Sequence, residues 1–150
     1  MLESMSDRGP DSAGLAIFGK PIAKRAKIMV QSQSPEDDFQ KLKKFLSTKK
    51  EISFSFETHS THAVIKLDVK QKDKVINLIN DTFANLRILS VGKKMEIYKE
   101  VGRPAEVVKR FEIAKMKGSH GIGHTRMATE SAVTTLGAHP FSTGEDQCLV

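Results

Sequence analysis

The sequence predicts an α+β fold built from largely antiparallel sheets. Segments of strict apolar alternation come in neighbouring pairs, and stretches with apolar residues at helical spacing stand between those pairs. The regular strand–helix–strand alternation that would argue for a parallel sheet is missing from the pattern. No internal repeat, linker or low-complexity run divides the 150 residues, so a single domain over residues 1–150 is expected.

Residues 11–19, "DSAGLAIFG", are small and apolar and follow the turn-forming Arg8-Gly9-Pro10-Asp11, so they read as a buried strand. Residues 25–31, "RAKIMVQ", either continue that strand or form a second one. Ser34-Pro35-Glu36-Asp37 is a helix start, with Ser34 as N-cap, Pro35 at the first helical position and acids in the first turn. Phe39, Leu42, Phe45 and Leu46 recur on one face and carry that helix to about Thr48.

"ISFSFE" (52–57) places Ile52, Phe54 and Phe56 on one side, and "HAVIKLDV" (62–69) does the same with Ala63, Ile65, Leu67 and Val69. Both read as half-buried strands. Val75, Leu78, Ile79 and Phe83 fall at helical spacing over 72–83, which puts Ile65, Leu67, Leu78 and Ile79 in one expected core. Residues 86–92 and 94–100 read as strands around a turn at Gly92-Lys93. Gly102-Arg103-Pro104 opens another helix with Val107, Val108 and Phe111 inward. "SHGIGHTR" (119–126) returns to a strand carrying glycines, and "QCLV" (147–150) begins one more.

Composition narrows the function classes. No apolar run approaches the ~20 residues that span a bilayer, and the first residues do not form a signal peptide. A single cysteine, Cys148, excludes an internal disulfide and suits a reducing cytoplasm, so the sequon Asn80-Asp81-Thr82 reads as a chance match. The net charge of +6 raises the question of nucleic acid. However, the lysines are spread over several elements, aromatics are 6% with no tryptophan, and no nucleic-acid-binding signature is present. Neither nucleic acid nor membrane is an expected partner.

Residues 118–140, "GSHGIGHTRMATESAVTTLGAHP", hold four glycines, three histidines and one arginine among small hydroxyl residues. Their glycines match neither the P-loop nor the dinucleotide-binding pattern. His120 and His124 fall on one face of the strand, but no cysteine or acid stands at ligand spacing, so no metal site is expected. Ser47-x-x-Lys50 lacks its companion motifs. Arg126 stands where the glycine-bearing strand gives way to a loop of Ala, Thr and Ser. A guanidinium fork there suits the carboxylate of a ligand, held by two parallel hydrogen bonds. It suits equally an internal acid such as Asp11 or Asp146, and spacing alone leaves both open.

"SDRGPDSAGLAIF", then "GHTRMAT", then "AHPF" resemble, in this order, three motifs of the class II glutamine amidotransferase domain, one of the N-terminal-nucleophile hydrolases. The family pattern reads roughly H-R-G-x-D-S-A-G, G-H-T-R-W-A-T and a-H-P. Asp7 replaces the histidine before Arg8, Met127 replaces the tryptophan after Arg126, and Glu130 stands where many members have a second histidine. The motifs cover the two ends of the chain, while residues 20–117 match in element order more than in residues. The variant motifs look most like the glutamate-synthase-like members, which include the amidotransferase subunit of N-methylglutamate synthase.

The resemblance implies a four-layer αββα sandwich with two antiparallel sheets. It also implies a reaction, the conversion of the glutamine side-chain amide to glutamate and ammonia, with the ammonia passed to a partner synthase subunit or domain. Arg126 would grip the α-carboxylate of glutamine, and Met127, Thr129 and Glu130 would line the amino-acid end. Arg8 and Asp11 would support the nucleophile strand, and His139 with Pro140 would shape the loop under the site. No metal or organic cofactor is expected.

The family's nucleophile is a cysteine at the mature N-terminus, whose own α-amine serves as base. Its oxyanion hole comes from an H-N-G motif that follows a strand like "CLV". This sequence holds neither at its ends, so the domain is expected to be partial and the chain as given inactive as a glutaminase. Cys148, inside an apolar run, reads as a small packed hydrophobe. The alternative from the binding class is a catalytically inactive domain that binds glutamine or a partner subunit.

Overall fold

The computed structural model describes residues 2–129 and 132–150. A three-stranded sheet runs in the order β6–β1–β7, from β1 (Ser12–Phe18), β6 (Met95–Val101) and β7 (His120–Arg126). A four-stranded sheet runs β3–β4–β2–β5, from β2 (Arg25–Gln31), β3 (Phe54–His59), β4 (His62–Asp68) and β5 (Arg87–Gly92). All the pairings within them are antiparallel, in line with an α+β fold. The helices are α1 (Pro35–Ser47), α2 (Lys72–Thr82) and α3 (Pro104–Arg110), and a hairpin of β8 (Phe141–Gly144) and β9 (Gln147–Leu149) closes the chain.

The run β2–α1–β3–β4–α2–β5, with its sheet order β3–β4–β2–β5, is a split βαβ arrangement. It is inserted into a hairpin. Phe18 at the end of β1 pairs with Met95 at the start of β6, and the Gly19 amide donates to the Lys94 carbonyl at 3.0 Å. Residues 20–94 therefore leave and rejoin the three-stranded sheet at one point, the tip of the β1–β6 hairpin.

Both faces of the four-stranded sheet are covered. On the outer face Ile28, Val30, Ile65 and Leu67 pack with Phe39, Leu42 and Leu46 of α1 and Val75 and Ile79 of α2, and Leu78 lies half-buried against them. The core expected from residues 65, 67, 78 and 79 is thus in place. On the inner face Met29, Val64 and Leu89 meet Ala13 and Tyr98 of the three-stranded sheet and Val107 and Phe111 of α3. The far face of the three-stranded sheet buries Ala16, Phe18, Met95 and Ile97, with Cys148 of the terminal hairpin packed against them. Helices, four-stranded sheet, three-stranded sheet and terminal segment thus follow one another in layers.

Several expectations are corrected. "RAKIMVQ" is a second strand and lies in the other sheet from β1. Strands β5 and β6 do not pair with each other, because the turn at Gly92-Lys93 hands the chain from one sheet to the other. Asp146 makes this possible: its carboxylate accepts the amides of Lys93, Lys94 and Met95 at 2.9, 2.7 and 2.9 Å. Ser34 does not cap α1 with its side chain. Ser32 braces the helix start instead, its hydroxyl accepting the Ser34 amide at 2.8 Å and donating to Asp38 at 2.5 Å. Ile52 is buried but precedes β3, Val69 begins a short 3-10 turn after β4, and Val108 is only half-buried.

Candidate functional site

Arg126 ends β7, opposite Ser12 at the start of β1. Backbone and side chain of Asp11 fix the chain on either side of it. The Asp11 amide donates to the Arg126 carbonyl at 3.1 Å, and the Asp11 carboxylate accepts the Ala128 amide at 2.7 Å. Two glycines of the first motif are needed for close backbone approach. A Cβ at Gly9 would stand 2.6 Å from the Arg126 nitrogen, and one at Gly14 would stand 2.1 Å from the His139 carbonyl oxygen. The three motifs, the first of them far in sequence from the other two, meet at one end of the three-stranded sheet.

The half-buried Arg126 guanidinium donates through Nη1 to the Gly137 carbonyl at 3.2 Å. Lys99, on β6, is buried beside it, its ammonium donating to the carbonyls of Ala138 at 2.7 Å and Leu136 at 3.4 Å. The Lys99 ammonium also lies 4.3 Å from the centre of the Phe141 ring. Three successive carbonyls, 136 to 138, are thus held by two cations. Burial brings the Lys99 pKa down to about 8.

His139 lies under this loop with its ring 4.5 Å from that of His124. Burial lowers its pKa first, and the charges of His124, Lys99 and Arg126 add to the effect.

Of the other residues expected at the site, Met127 is 59% exposed and Thr129 is exposed. Glu130 lies outside the described residues. Arg8 is exposed in the turn before β1, and the supporting contact to the 126–128 segment comes from Asp11. The two acids weighed as internal partners of Arg126 commit carboxylate oxygens to backbone amides, Asp11 to Ala128 and Asp146 to the β5–β6 turn. His120 stacks on Phe18 at 4.4 Å. Cys148 is half-buried, and burial pushes its thiol up, away from the thiolate a nucleophile needs.

Sequence reasoning missed Lys99 and His62. A signal existed for Lys99: it continues the face of Met95 and Ile97, where alternation calls for an apolar residue. His62 is fully buried, with its pKa pushed down to about 3, first by burial and then by the Lys99 charge. Its Nε2 accepts the Lys99 amide at 3.5 Å, so the proton belongs on Nδ1, 3.0 Å from the Thr61 hydroxyl. That hydroxyl donates to Glu100 at 2.9 Å, and Glu100 also accepts the Thr135 hydroxyl. A polar chain therefore runs from the inserted unit to the loop that seats Arg126.

What assembles here is an arginine fork on a strand end tied down by Asp11, beside a loop of small residues whose carbonyls are already occupied. Such a fork suits a ligand carboxylate.

No family model matches the chain. It is 53% identical over 150 residues, all of its length, to the glutamine amidotransferase-like protein GlxB of Rhizobium meliloti, of which it covers 50%. It is 30% identical over 149 residues, 94% of its length, to a putative glutamine amidotransferase of Methanothermobacter thermautotrophicus, of which it covers 49%. A shorter match, 40% identical over 52 residues, or 35% of the chain and 9% of the relative, is to a glutamine–fructose-6-phosphate aminotransferase of Bradyrhizobium diazoefficiens. The chain spans about half the length of the two long curated relatives it matches. These similarities support a glutamine amidotransferase family.

Proposed function

We propose that this chain is part of a class II glutamine amidotransferase and carries the residues that bind glutamine. The observation behind this reading is the convergence of Arg126, Asp11, Gly14 and His139, drawn from three separate motifs, at one end of the three-stranded sheet. The Arg126 fork grips the α-carboxylate of glutamine. Met127, Thr129 and Glu130 line the amino-acid end, and Asp11 and His139 hold the strand end and the loop in place. Similarity to relatives named as glutamine amidotransferases supports the same substrate.

In the proposed reaction a cysteine thiolate attacks the side-chain amide carbon, the C–N bond breaks, and ammonia leaves with the proton taken by the N-terminal amine. Water then hydrolyses the thioester to glutamate, and the ammonia passes to a partner synthase of the glutamate-synthase-like kind. Cys148 is not suited to be that thiol. The part this reading gives to the chain is to bind and orient, within the layered sandwich of an N-terminal-nucleophile hydrolase.

Titration of L-glutamine into the chain, followed by backbone and arginine side-chain NMR, tests the reading. Saturable shifts should centre on residues 123–129 and 137–139. Arg126→Lys should weaken binding by roughly 1.5–3 kcal/mol, because an ammonium cannot reproduce the fork. An unchanged Kd in the lysine variant would remove the carboxylate clamp.

A further inference from the structure

A polar cavity that none of the motifs reaches opens at one end of the inserted unit. A cleft of about 420 Å³ is lined by Gln31, Ser34, Asp38, Asn85, Arg87 and Leu136, among others. It lies where the end of β2 and the start of α1 meet the start of β5, and Gln31 and Arg87 are register partners across β2 and β5. Gln31 is only 3% exposed, yet its side-chain Nε2 is buried without a hydrogen-bond partner among the described residues. A buried amide donor left unpaired costs about 1–3 kcal/mol unless a ligand or water satisfies it. Asp38 is buried too, with one carboxylate oxygen held by the Ser32 hydroxyl. Arg87 is exposed at the rim, and no ion pair joins it to Asp38 among the described residues.

We propose that this cleft binds a free α-amino acid. Such a ligand carries an ammonium for the buried carboxylate and a carboxylate for the guanidinium, and gives the stranded Gln31 amide an acceptor. The cleft is far larger than one water, whose share of liquid volume is about 30 Å³. Ligands of single charge satisfy one wall and leave the other unpaired. The site also touches the loop beside Arg126, because Leu136 lines the cleft while its carbonyl accepts from Lys99. Occupancy here therefore bears on the loop that seats Arg126.

The proposal does not depend on Arg126 binding glutamine, and one experiment separates the two. L-glutamate, glutarate and butylamine are titrated separately into the uniformly labelled chain and into three variants, Arg87→Ala, Asp38→Asn and Arg126→Lys. L-glutamate should shift the amides of Gln31, Ser34, Asn85 and Arg87 saturably, and the other two probes should bind at least about ten-fold more weakly. Arg87→Ala, at an exposed position that leaves the fold intact, and Asp38→Asn should each raise the Kd at least about ten-fold, with Arg126→Lys close to unchanged at these amides. Shifts confined to residues 123–139 overturn the proposal while supporting the Arg126 reading. Silence at 31–38 and 84–87 at saturating probe, or glutarate bound as tightly as L-glutamate, overturns it as well.

Discussion

The inserted unit, residues 20–94, and the segment around Arg126 are held by different forces. In the unit, apolar side chains bury on both faces of one sheet, against helices on one side and a second sheet on the other. Around Arg126 the apolar contribution is small, and placement comes from backbone: a carboxylate on an amide, two cations on three carbonyls, and glycines where a Cβ would collide. Stability resides mainly in the first region and positioning in the second. The two properties should therefore separate under mutation.

The largest separation is expected from Ile65→Ala, at a fully buried position between the strands and the helices. It should cost about 2–5 kcal/mol in urea unfolding, with glutamine affinity unchanged in the fraction that remains folded. Asp11→Ala should do the reverse. Leaving the Ala128 amide without its acceptor costs about 1–3 kcal/mol. The cost should show as weaker glutamine binding and faster hydrogen exchange at 126–128, with β2 and β4 exchange untouched. A uniform rise in exchange across both sheets would mean that positioning and stability are not separable here.

The smallest effect per step, counted per pH unit, sharpens the comparison at the boundary. His62 sits between the sheets with its pKa lowered from an ordinary 6.5 to about 3. Between those values the unfolded chain binds the proton and the folded one does not. Stability therefore rises with pH across this window and is lost as pH falls from 6.5 toward 3, by at most about 1.4 kcal/mol per unit. Urea midpoints measured over that range should show a shallower slope in His62→Gln. An equal slope would assign the acid sensitivity to other groups.

The same contrast governs what could be read from the sequence. Helices α1 and α2 announce themselves through Phe39, Leu42 and Leu46 and through Val75 and Ile79, because one face alone is covered. Strand β4 shows the limit: alternation marks Ala63, Ile65 and Leu67 as inward, yet His62 and Val64 are equally buried by the second sheet. Which sheet a strand joins is not a local property. β1 pairs with β6 and β7, distant in sequence, so nothing in "LRILSVG" and "KMEIYKE" reveals that they separate. The candidate site residues Arg126, Asp11 and His139 could be picked out through their motifs, since they are discrete chemical signals. His62 could not, because a polar residue inside an apolar strand looks like a solvent-facing one until the covering layer is known, whereas Lys99 could have been read from its place on the face of Met95 and Ile97. Strand β8 carries no alternation of large apolar residues, and its pairing with β9 had no signature.

The placement of the unit at a hairpin tip also sets an order of events in time. While residues 20–94 are unfolded, joining β1 to β6 means closing a loop of about 75 residues, some 2–3 kcal/mol dearer in chain entropy than closing a tight turn. Once the unit has folded, its two ends emerge side by side and the long loop behaves as a short one. The unit itself begins from nearby contacts, the β3–β4 hairpin and two helices, which form quickly. The three-stranded sheet, and Arg126 with it, is therefore expected to assemble last. Pulse-labelled exchange during refolding should protect the amides of β4 before those of β1, and simultaneous protection would place both sheets in a single cooperative step.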